Sequence, residues 1–181
     1  MDRLSTVEAS FLEAEDADRH LSMAIGALAV IDGPGPGRDE LIAALSDRLG
    51  SVPRLRQVVH QRPLQVAAPE LVVDNNFDIT HHVRWAVVPQ PADESALFRT
   101  VTDLMERRLD RDHPLWECWV IEGLPERRWV VLLKIHHCLA DEVGAIRILT
   151  SISDAGTGAL HETRVVSLRR RPKPQDSRSI R

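Results

Sequence analysis

The sequence predicts an α/β fold in which a mixed β-sheet is flanked by helices. A nearly continuous apolar run, Trp129–Ile135, is typical of a strand that is buried on both faces of a sheet. The apolar period then changes, because apolar residues recur every three positions from Val143 to Ile152, which predicts a helix over about 141–153. With 181 residues, the chain is long enough to bury a substantial core as one domain.

The other elements follow from the same two periodicities and from the residues that interrupt them. Ser5 and Glu8 form a capping-box pattern that begins a helix, and the Gly-Pro run at 32–37 ends a strand. In chain order, the pattern predicts a helix after Ser5, a strand over 23–31, a helix from Leu41 to Leu49, strands over 55–60, 65–73 and 81–88 in a hairpin-rich middle, a helix over 93–109, and strands over 117–123 and 128–136 joined by a turn around Pro125–Arg127.

Two histidines and an acid lie at the corner between the last strand and the last helix. His136 and His137 end the apolar run, and Asp141 precedes the helix. In α/β sheets, ligands usually bind at the carboxyl ends of strands. Adjacent residues of an extended segment point to opposite sides, so we expect one histidine to be reactive and the other structural. A neutral imidazole can take a proton from an alcohol, which suits general-base acyl transfer.

These residues and several other blocks resemble a known family. His136-His137-x3-Asp141 resembles the HHxxxDG motif of the acyltransferase superfamily that includes chloramphenicol acetyltransferase and the condensation domains. The match to bacterial wax ester synthase/diacylglycerol acyltransferases is narrower and covers about residues 1–153. The blocks that carry it, in the family's order, are Arg3-Leu4-Ser5 with Phe11-Leu12 and Glu15, Val52–Arg56, Phe77-Asp78 with His82–Arg84, and Leu109–Arg111 with Pro114–Glu117.

The resemblance implies a chloramphenicol acetyltransferase-like half-domain and a mechanism. In that mechanism, His137 is the general base that deprotonates a long-chain alcohol or diacylglycerol, and the alkoxide attacks acyl-CoA directly without an acyl-enzyme. His136 shapes the site, and Asp141 is chiefly a structural ion-pair partner of an arginine. Pro114, Leu115 and Trp116 are expected to pack near the site. The resemblance implies no bound cofactor, and acyl-CoA is the co-substrate.

The sequence departs from the family pattern in two ways. The glycine that follows the motif aspartate is Glu142 here, which adds bulk and negative charge beside the proposed base but suits a helix N-terminus. The second departure is that only the first of the family's two similar halves is recognisable. The resemblance therefore implies a chain that is weakly active or inactive alone and that pairs with a C-terminal half-domain or with a second copy of itself.

Composition limits the remaining choices. A net charge of −4 and a pI near 6.1 argue against wholesale nucleic-acid binding. Cys118 and Cys138 lack metal or redox spacing and fit a reducing cytosol. No apolar stretch is long enough to span a bilayer. The expected localisation is cytoplasmic, with peripheral contact to a membrane or lipid droplet as an alternative.

The predicted domain covers residues 1–155, and residues 156–181 are predicted to be a disordered tail or part of a linker. The segment from Arg164 to Arg181 carries a net charge of +6, which leaves about −10 on the rest of the chain. Such a basic, proline-containing segment is usually solvated, and docking on anionic lipid is the minority interpretation.

Two other functions stay open at this point. His136, His137, Asp141 and Glu142 have side chains that can bind a divalent metal, which would make the protein a hydrolase. Alternatively, the chain is a non-catalytic half-domain that binds a partner chain or lipid. The pair His81-His82 is interpreted as structural rather than as a metal pair, and His113 is interpreted as a turn residue.

Overall fold

A computed structural model describes residues 2–49, 52–61, 68–153 and 166–168. The helices are α1 (Thr6–Ala17), α2 (Arg38–Leu49), α3 (Glu94–Glu106) and α4 (Glu142–Ser153). The strands are β1 (Asp2–Arg3), β2 (Ala24–Asp32), β3 (Gln57–His60), β4 (Glu70–Val73), β5 (Val83–Val87), β6 (Trp116–Glu122), β7 (Arg128–His136) and β8 (Val166–Leu168).

The larger sheet is mixed, as the sequence predicts. Its strand order is β5-β6-β7-β2-β8. β7 pairs antiparallel with both β6 and β2, whereas β5 pairs parallel with β6. The register places Ala24 opposite His136, so the start of β2 lies beside the end of β7. This pairing brings the chain just before β2 next to the two histidines.

The central strand β7 is buried on both faces, which confirms the interpretation of its apolar run. Val131, Leu133 and Ile135 belong to one apolar cluster, whereas Val130 and Leu132 belong to another. The first cluster includes Leu12 of α1 and Leu149 of α4, and the second includes Leu97, Val101 and Leu104 of α3. Helices therefore cover both faces of the sheet, because alternate residues of the strand point to opposite sides.

The middle of the chain differs from the predicted arrangement. β3 and β4 form the expected antiparallel pair, and β1 joins them in a separate sheet of order β1-β4-β3. The third predicted strand, β5, leaves this region and pairs parallel with β6 in the larger sheet. The reason is α3, since a helix between two strands provides the long crossover that parallel pairing needs. Residues 53–56 form a 3₁₀ turn rather than the start of a strand.

Local signals at the element ends are mostly confirmed. Ser5 and Glu8 form a complete capping box at the start of α1. The turn between β6 and β7 includes Glu126 and Arg127, which both adopt positive φ angles. Within the segment predicted to be a disordered tail or part of a linker, residues 166–168 form β8 and pair with β2. The boundary near 155 and the rest of the segment lie outside the described residues.

Candidate active site

The candidate site is the turn between β7 and α4. The His136 backbone N–H donates to the Leu115 carbonyl at 2.9 Å, and the His137 N–H donates to the Met23 carbonyl at 2.9 Å. The Leu139 N–H then donates to the His136 carbonyl at 2.9 Å and closes the turn. The backbone just before β6 and just before β2 therefore holds the two histidines at the carboxyl end of β7.

His136 points into the protein. Its side chain is fully buried, and its Nδ1 accepts a hydrogen bond of 3.1 Å from the Cys138 backbone N–H. Because Nδ1 is the acceptor, the hydrogen of the neutral ring is assigned to Nε2. Nε2 lies 3.6 Å from Oε2 of Glu15, slightly beyond hydrogen-bond distance. The ring N–H therefore faces a buried carboxylate, and His136 is in no position to meet a substrate in solvent.

Glu15 is a buried anion with three neighbouring donors. Its Oε2 lies 2.6 Å from Nη2 of Arg111, and its Oε1 accepts from the Met23 N–H at 3.0 Å. Burial raises the pKa of the Glu15 carboxyl, but His136, the Met23 N–H and Arg111 together outweigh burial and lower this pKa to about 2. Glu15 is therefore ionised at neutral pH.

His137 is less buried than His136. It is half-buried, and its ring stacks on that of Phe11, with a centroid distance of 4.1 Å and an interplanar angle of 9°. The two histidine rings contact different residues of α1, Glu15 and Phe11, and they differ in burial. A partly exposed imidazole at the carboxyl end of the central strand can exchange protons with a bound alcohol.

The cysteine beside His137 is not a competing nucleophile. Cys138 is fully buried, and burial raises the pKa of its thiol to about 12. The thiol therefore stays protonated at neutral pH, and thiolate rather than thiol is the reactive form.

Asp141 lies directly before α4. The family resemblance implies an ion pair with an arginine, and the side chain of Asp141 is exposed. Its Oδ1 accepts a hydrogen bond of 2.7 Å from the Gly144 N–H, so Asp141 caps the N-terminus of α4. Among the residues that the structure describes, no arginine forms an ion pair with it. Glu142 lies in the first turn of α4, where a carboxylate is favourable.

The Pro114–Trp116 block packs against this corner, as expected. Trp116 is buried, and its Nε1 donates to the Leu55 carbonyl at 2.7 Å. Its ring stacks on the His82 ring with a centroid distance of 4.4 Å. The Phe77 ring also stacks on the His82 ring, with a centroid distance of 5.1 Å. The same block supplies the Leu115 carbonyl that holds His136, so its packing fixes one side of the turn.

Arg54 braces the other end of the turn. One of its nitrogens lies 2.8 Å from Oε1 of Glu8 and donates to the Leu139 carbonyl at 3.3 Å. Arg54 thereby ties the turn after the histidines to the first turn of α1.

Comparison with known proteins decides the family. Residues 4–180 match the family model described as the wax ester synthase/diacylglycerol acyltransferase catalytic domain. The chain belongs to this family. It is 48% identical over 154 residues to the probable diacylglycerol O-acyltransferase tgs1 of Mycobacterium tuberculosis H37Rv, a match that covers 85% of this chain and 33% of tgs1. The chain thus spans about a third of the length of such relatives.

Solved structures support the fold. The wax ester synthase/diacylglycerol acyltransferase of Marinobacter aquaeolei VT8 aligns with a TM-score of 0.66 and 30% identity, over 82% of this chain and 37% of that one. A starter condensation domain of the rhizomide synthetase RzmA, solved with C8-CoA, aligns with a TM-score of 0.67 and 15% identity, over 84% of this chain and 34% of that one. The predicted chloramphenicol acetyltransferase-like class is therefore confirmed for this family member.

The metal-hydrolase interpretation loses its geometric basis. His136 faces Glu15 inside the protein, His137 faces Phe11, and Asp141 caps α4, so these side chains do not converge. Over the described ranges, no group of three or more His, Cys, Asp or Glu side chains is arranged to hold a metal ion.

Three further histidines, His81, His82 and His113, contact other rings. His82 is buried in the stack with Trp116, and burial lowers its pKa. His113 lies in the turn before Pro114, as predicted, and its ring contacts that of His81 edge to face at 4.9 Å.

Sequence reasoning missed the environment of three charged residues, Lys134, Glu15 and Arg111. Lys134 of β7 is fully buried, and its Nζ donates to the carbonyls of Leu104 and Arg107 at the end of α3. A lysine in the middle of an apolar strand was the available signal. Glu15 and Arg111 were noted only as parts of family blocks, and no periodicity shows that residues 96 positions apart form an ion pair.

Proposed function

We propose that this chain contributes the catalytic base of an acyl-CoA-dependent O-acyltransferase that makes triacylglycerols or wax esters. The observation that carries the proposal is the exposure of His137, which is half-buried and stacked on Phe11 at the end of the central strand, while its neighbour His136 is buried. Family membership and the name of tgs1 support the choice of diacylglycerol as an acceptor.

In the proposed reaction, a ring nitrogen of His137 removes the proton from the acceptor hydroxyl as its oxygen attacks the thioester carbonyl of acyl-CoA. The C–O bond forms, the tetrahedral adduct collapses, and the C–S bond breaks. The proton held by His137 passes to the departing sulfur, which leaves as the free thiol of CoA. Removing such a base typically slows a reaction by about two to four orders of magnitude.

The neighbouring motif residues act through structure in this proposal. His136 shapes the turn from inside, and Asp141 fixes the start of α4 directly after the turn. Neither needs to exchange a proton with substrate. Glu142 takes the place of the family's glycine and brings a carboxylate close to the turn.

Because the match covers about a third of the length of tgs1, we expect efficient turnover to need the remaining residues of such an enzyme. Positioning of the reactants contributes much of the rate in acyl transfer, and part of the substrate channel would lie on the remaining residues. A C-terminal half-domain supplied in trans, or a second copy of this chain, is the partner that we propose.

The direct test is thiol release from palmitoyl-CoA with dioleoylglycerol or hexadecanol as acceptor. The chain is assayed alone and with the remaining residues of the Marinobacter relative added in trans. We expect ester product and stoichiometric thiol release in the mixture, and no thiol release when the acceptor is omitted. Thiol release without acceptor would indicate an acyl-enzyme or a hydrolase, and absence of product in every mixture would contradict the proposal.

The acceptors are water-insoluble, so we also propose peripheral contact with a membrane or lipid droplet. No helix among the described residues is long and apolar enough to cross a bilayer. Flotation with vesicles of phosphatidylcholine, with and without anionic phosphatidylglycerol, tests this contact. Recovery of the chain only in the bottom fraction of the gradient, with both vesicle types, would contradict membrane contact.

A further inference from the structure

One face of α1 contacts both histidines of the turn. Phe11 stacks on His137, and Glu15, four residues later, faces His136. Residues four positions apart lie on the same side of a helix. We infer that Glu15, held by Arg111, is a positioning residue that orients His136 and, through it, the turn that presents His137. This inference rests on the proposed function for its catalytic consequence and on geometry alone for its structural one.

First, the Glu15 carboxylate influences which ring nitrogen of His136 carries the hydrogen. A carboxylate accepts hydrogen bonds and cannot donate them when ionised, so Glu15 favours the tautomer with hydrogen on Nε2. This tautomer leaves a lone pair on Nδ1, which accepts from the Cys138 N–H at 3.1 Å. The opposite tautomer would place two N–H groups against each other at this position. Glu15 therefore stabilises the bond between the ring and the backbone of the turn.

The second step concerns the position of Glu15 itself. Its side chain is 2% exposed, and it is held by the Arg111 contact at 2.6 Å and by the Met23 N–H at 3.0 Å. Arg108 secures the same end of α1, since its guanidinium donates to the carbonyls of Leu21, Asp18 and Glu15. The carboxylate is thus held by the Met23 N–H and by Arg111, while Arg108 holds the backbone at the end of α1.

The third step connects this anchor to His137. Met23 provides both an N–H for Glu15 and a carbonyl for the His137 N–H. His137 is therefore linked to Glu15 through Met23 on one side and through His136 and Cys138 on the other. A change at Glu15 alters the turn on both sides of the proposed base, although Glu15 touches no part of the His137 ring.

Glu15→Gln is the informative variant. The two oxygens of the Glu15 carboxylate face three donors, which are Arg111, the Met23 N–H and the His136 ring. The Gln amide has only one oxygen and adds two N–H hydrogens, so at least one of these donors loses its acceptor. Asp16→Asn is a matched control. Asp16 also contacts Arg111, at 3.3 Å, but its side chain is 53% exposed. Both variants remove one negative charge beside the same arginine.

The first measurement is histidine-tautomer NMR on the ¹⁵N-labelled chain at neutral pH. We expect His136 of the unmodified protein to carry hydrogen on Nε2 and none on Nδ1. A hydrogen on Nδ1 would overturn the inference without any variant, so a variant that fails to fold does not leave it untested.

The second measurement is amide hydrogen exchange. In Glu15→Gln, we expect the Cys138 amide to lose protection by about tenfold more than the Leu132 amide of the central strand, which reports global opening. In Asp16→Asn, the two amides should change together. Equal changes at Cys138 and Leu132 in Glu15→Gln would indicate a general loss of stability and would overturn the positioning role.

The third measurement is steady-state kinetics in the complemented acyltransferase assay. We expect Glu15→Gln to lower kcat on the order of 100-fold, with an unchanged KM for palmitoyl-CoA, because misplacement of a base affects the chemical step. Glu15→Asp should recover part of the loss. An unchanged kcat in Glu15→Gln would overturn the inference. Absence of turnover in the unmodified protein would instead contradict the proposed function. The NMR and hydrogen-exchange results would then decide the positioning role of Glu15.

Discussion

Replacing Glu15 by Gln should destabilise the protein by an amount that depends on pH. The pKa of this carboxyl falls from 4.5 to about 2 on folding. Each pKa unit corresponds to about 1.4 kcal/mol, so the ionised group contributes on the order of 3 kcal/mol to the free energy of unfolding at neutral pH. Because the pKa in the folded protein is lower, this contribution is complete well above pH 4.5 and is lost as the pH falls towards 2.

The assay is urea unfolding at pH 7, 4 and 3, followed by tryptophan fluorescence. We expect the difference between the unmodified protein and Glu15→Gln to be about 3 kcal/mol at pH 7 and to shrink steadily towards pH 3. Asp16→Asn should cost less than about 1 kcal/mol, since exposed ion pairs contribute little. A difference for Glu15→Gln that is independent of pH, or an equal loss in the Asp16 control, would refute the reasoning.

Three further substitutions test the structural roles around the site. Asp141→Ala should remove the cap on Gly144 and cost about 1 kcal/mol, seen as a fall of about 2–4 °C in Tm; an unchanged Tm would argue against capping. Lys134→Met should lower the free energy of unfolding in urea by about 1–3 kcal/mol, because two carbonyls at the end of α3 lose their donor; a gain in stability would contradict this. Trp116→Phe should lower the free energy of unfolding by a similar amount, because the Leu55 carbonyl loses its hydrogen-bond donor; an unchanged free energy of unfolding would show that the Nε1 hydrogen bond is dispensable.

Much of the fold follows from local patterns. The apolar run of β7 and the three-residue period of α4 predict the central strand and the helix after it, and both are confirmed. The capping box at Ser5 is confirmed for the same reason, because its hydrogen bonds join residues three positions apart. The sequence also predicts that the two histidines differ, and His136 is buried whereas His137 is half-buried. Each of these features depends on residues that are close in sequence.

The features that could not be predicted depend on contacts between distant residues. β5 pairs with β6 rather than with the adjacent hairpin, and the choice depends on where α3 packs. The buried ion pair of Glu15 with Arg111 is likewise set by tertiary packing. The role of Asp141 cannot be read from the sequence either, because a carboxylate before a helix can cap the helix or pair with a distant arginine. In the described residues its hydrogen bond is local, from the N–H of Gly144.

We propose that His137 is the base of an acyl-CoA-dependent acyltransferase. The most direct test compares thiol release by the unmodified chain, His137→Ala and His60→Ala in the complemented assay. His60 is an exposed histidine in the smaller sheet and serves as the control. We predict that His137→Ala keeps the circular dichroism spectrum and the Tm but loses about two to four orders of magnitude in kcat, while His60→Ala keeps full activity. Equal turnover in the unmodified chain and in a folded His137→Ala variant would contradict the account.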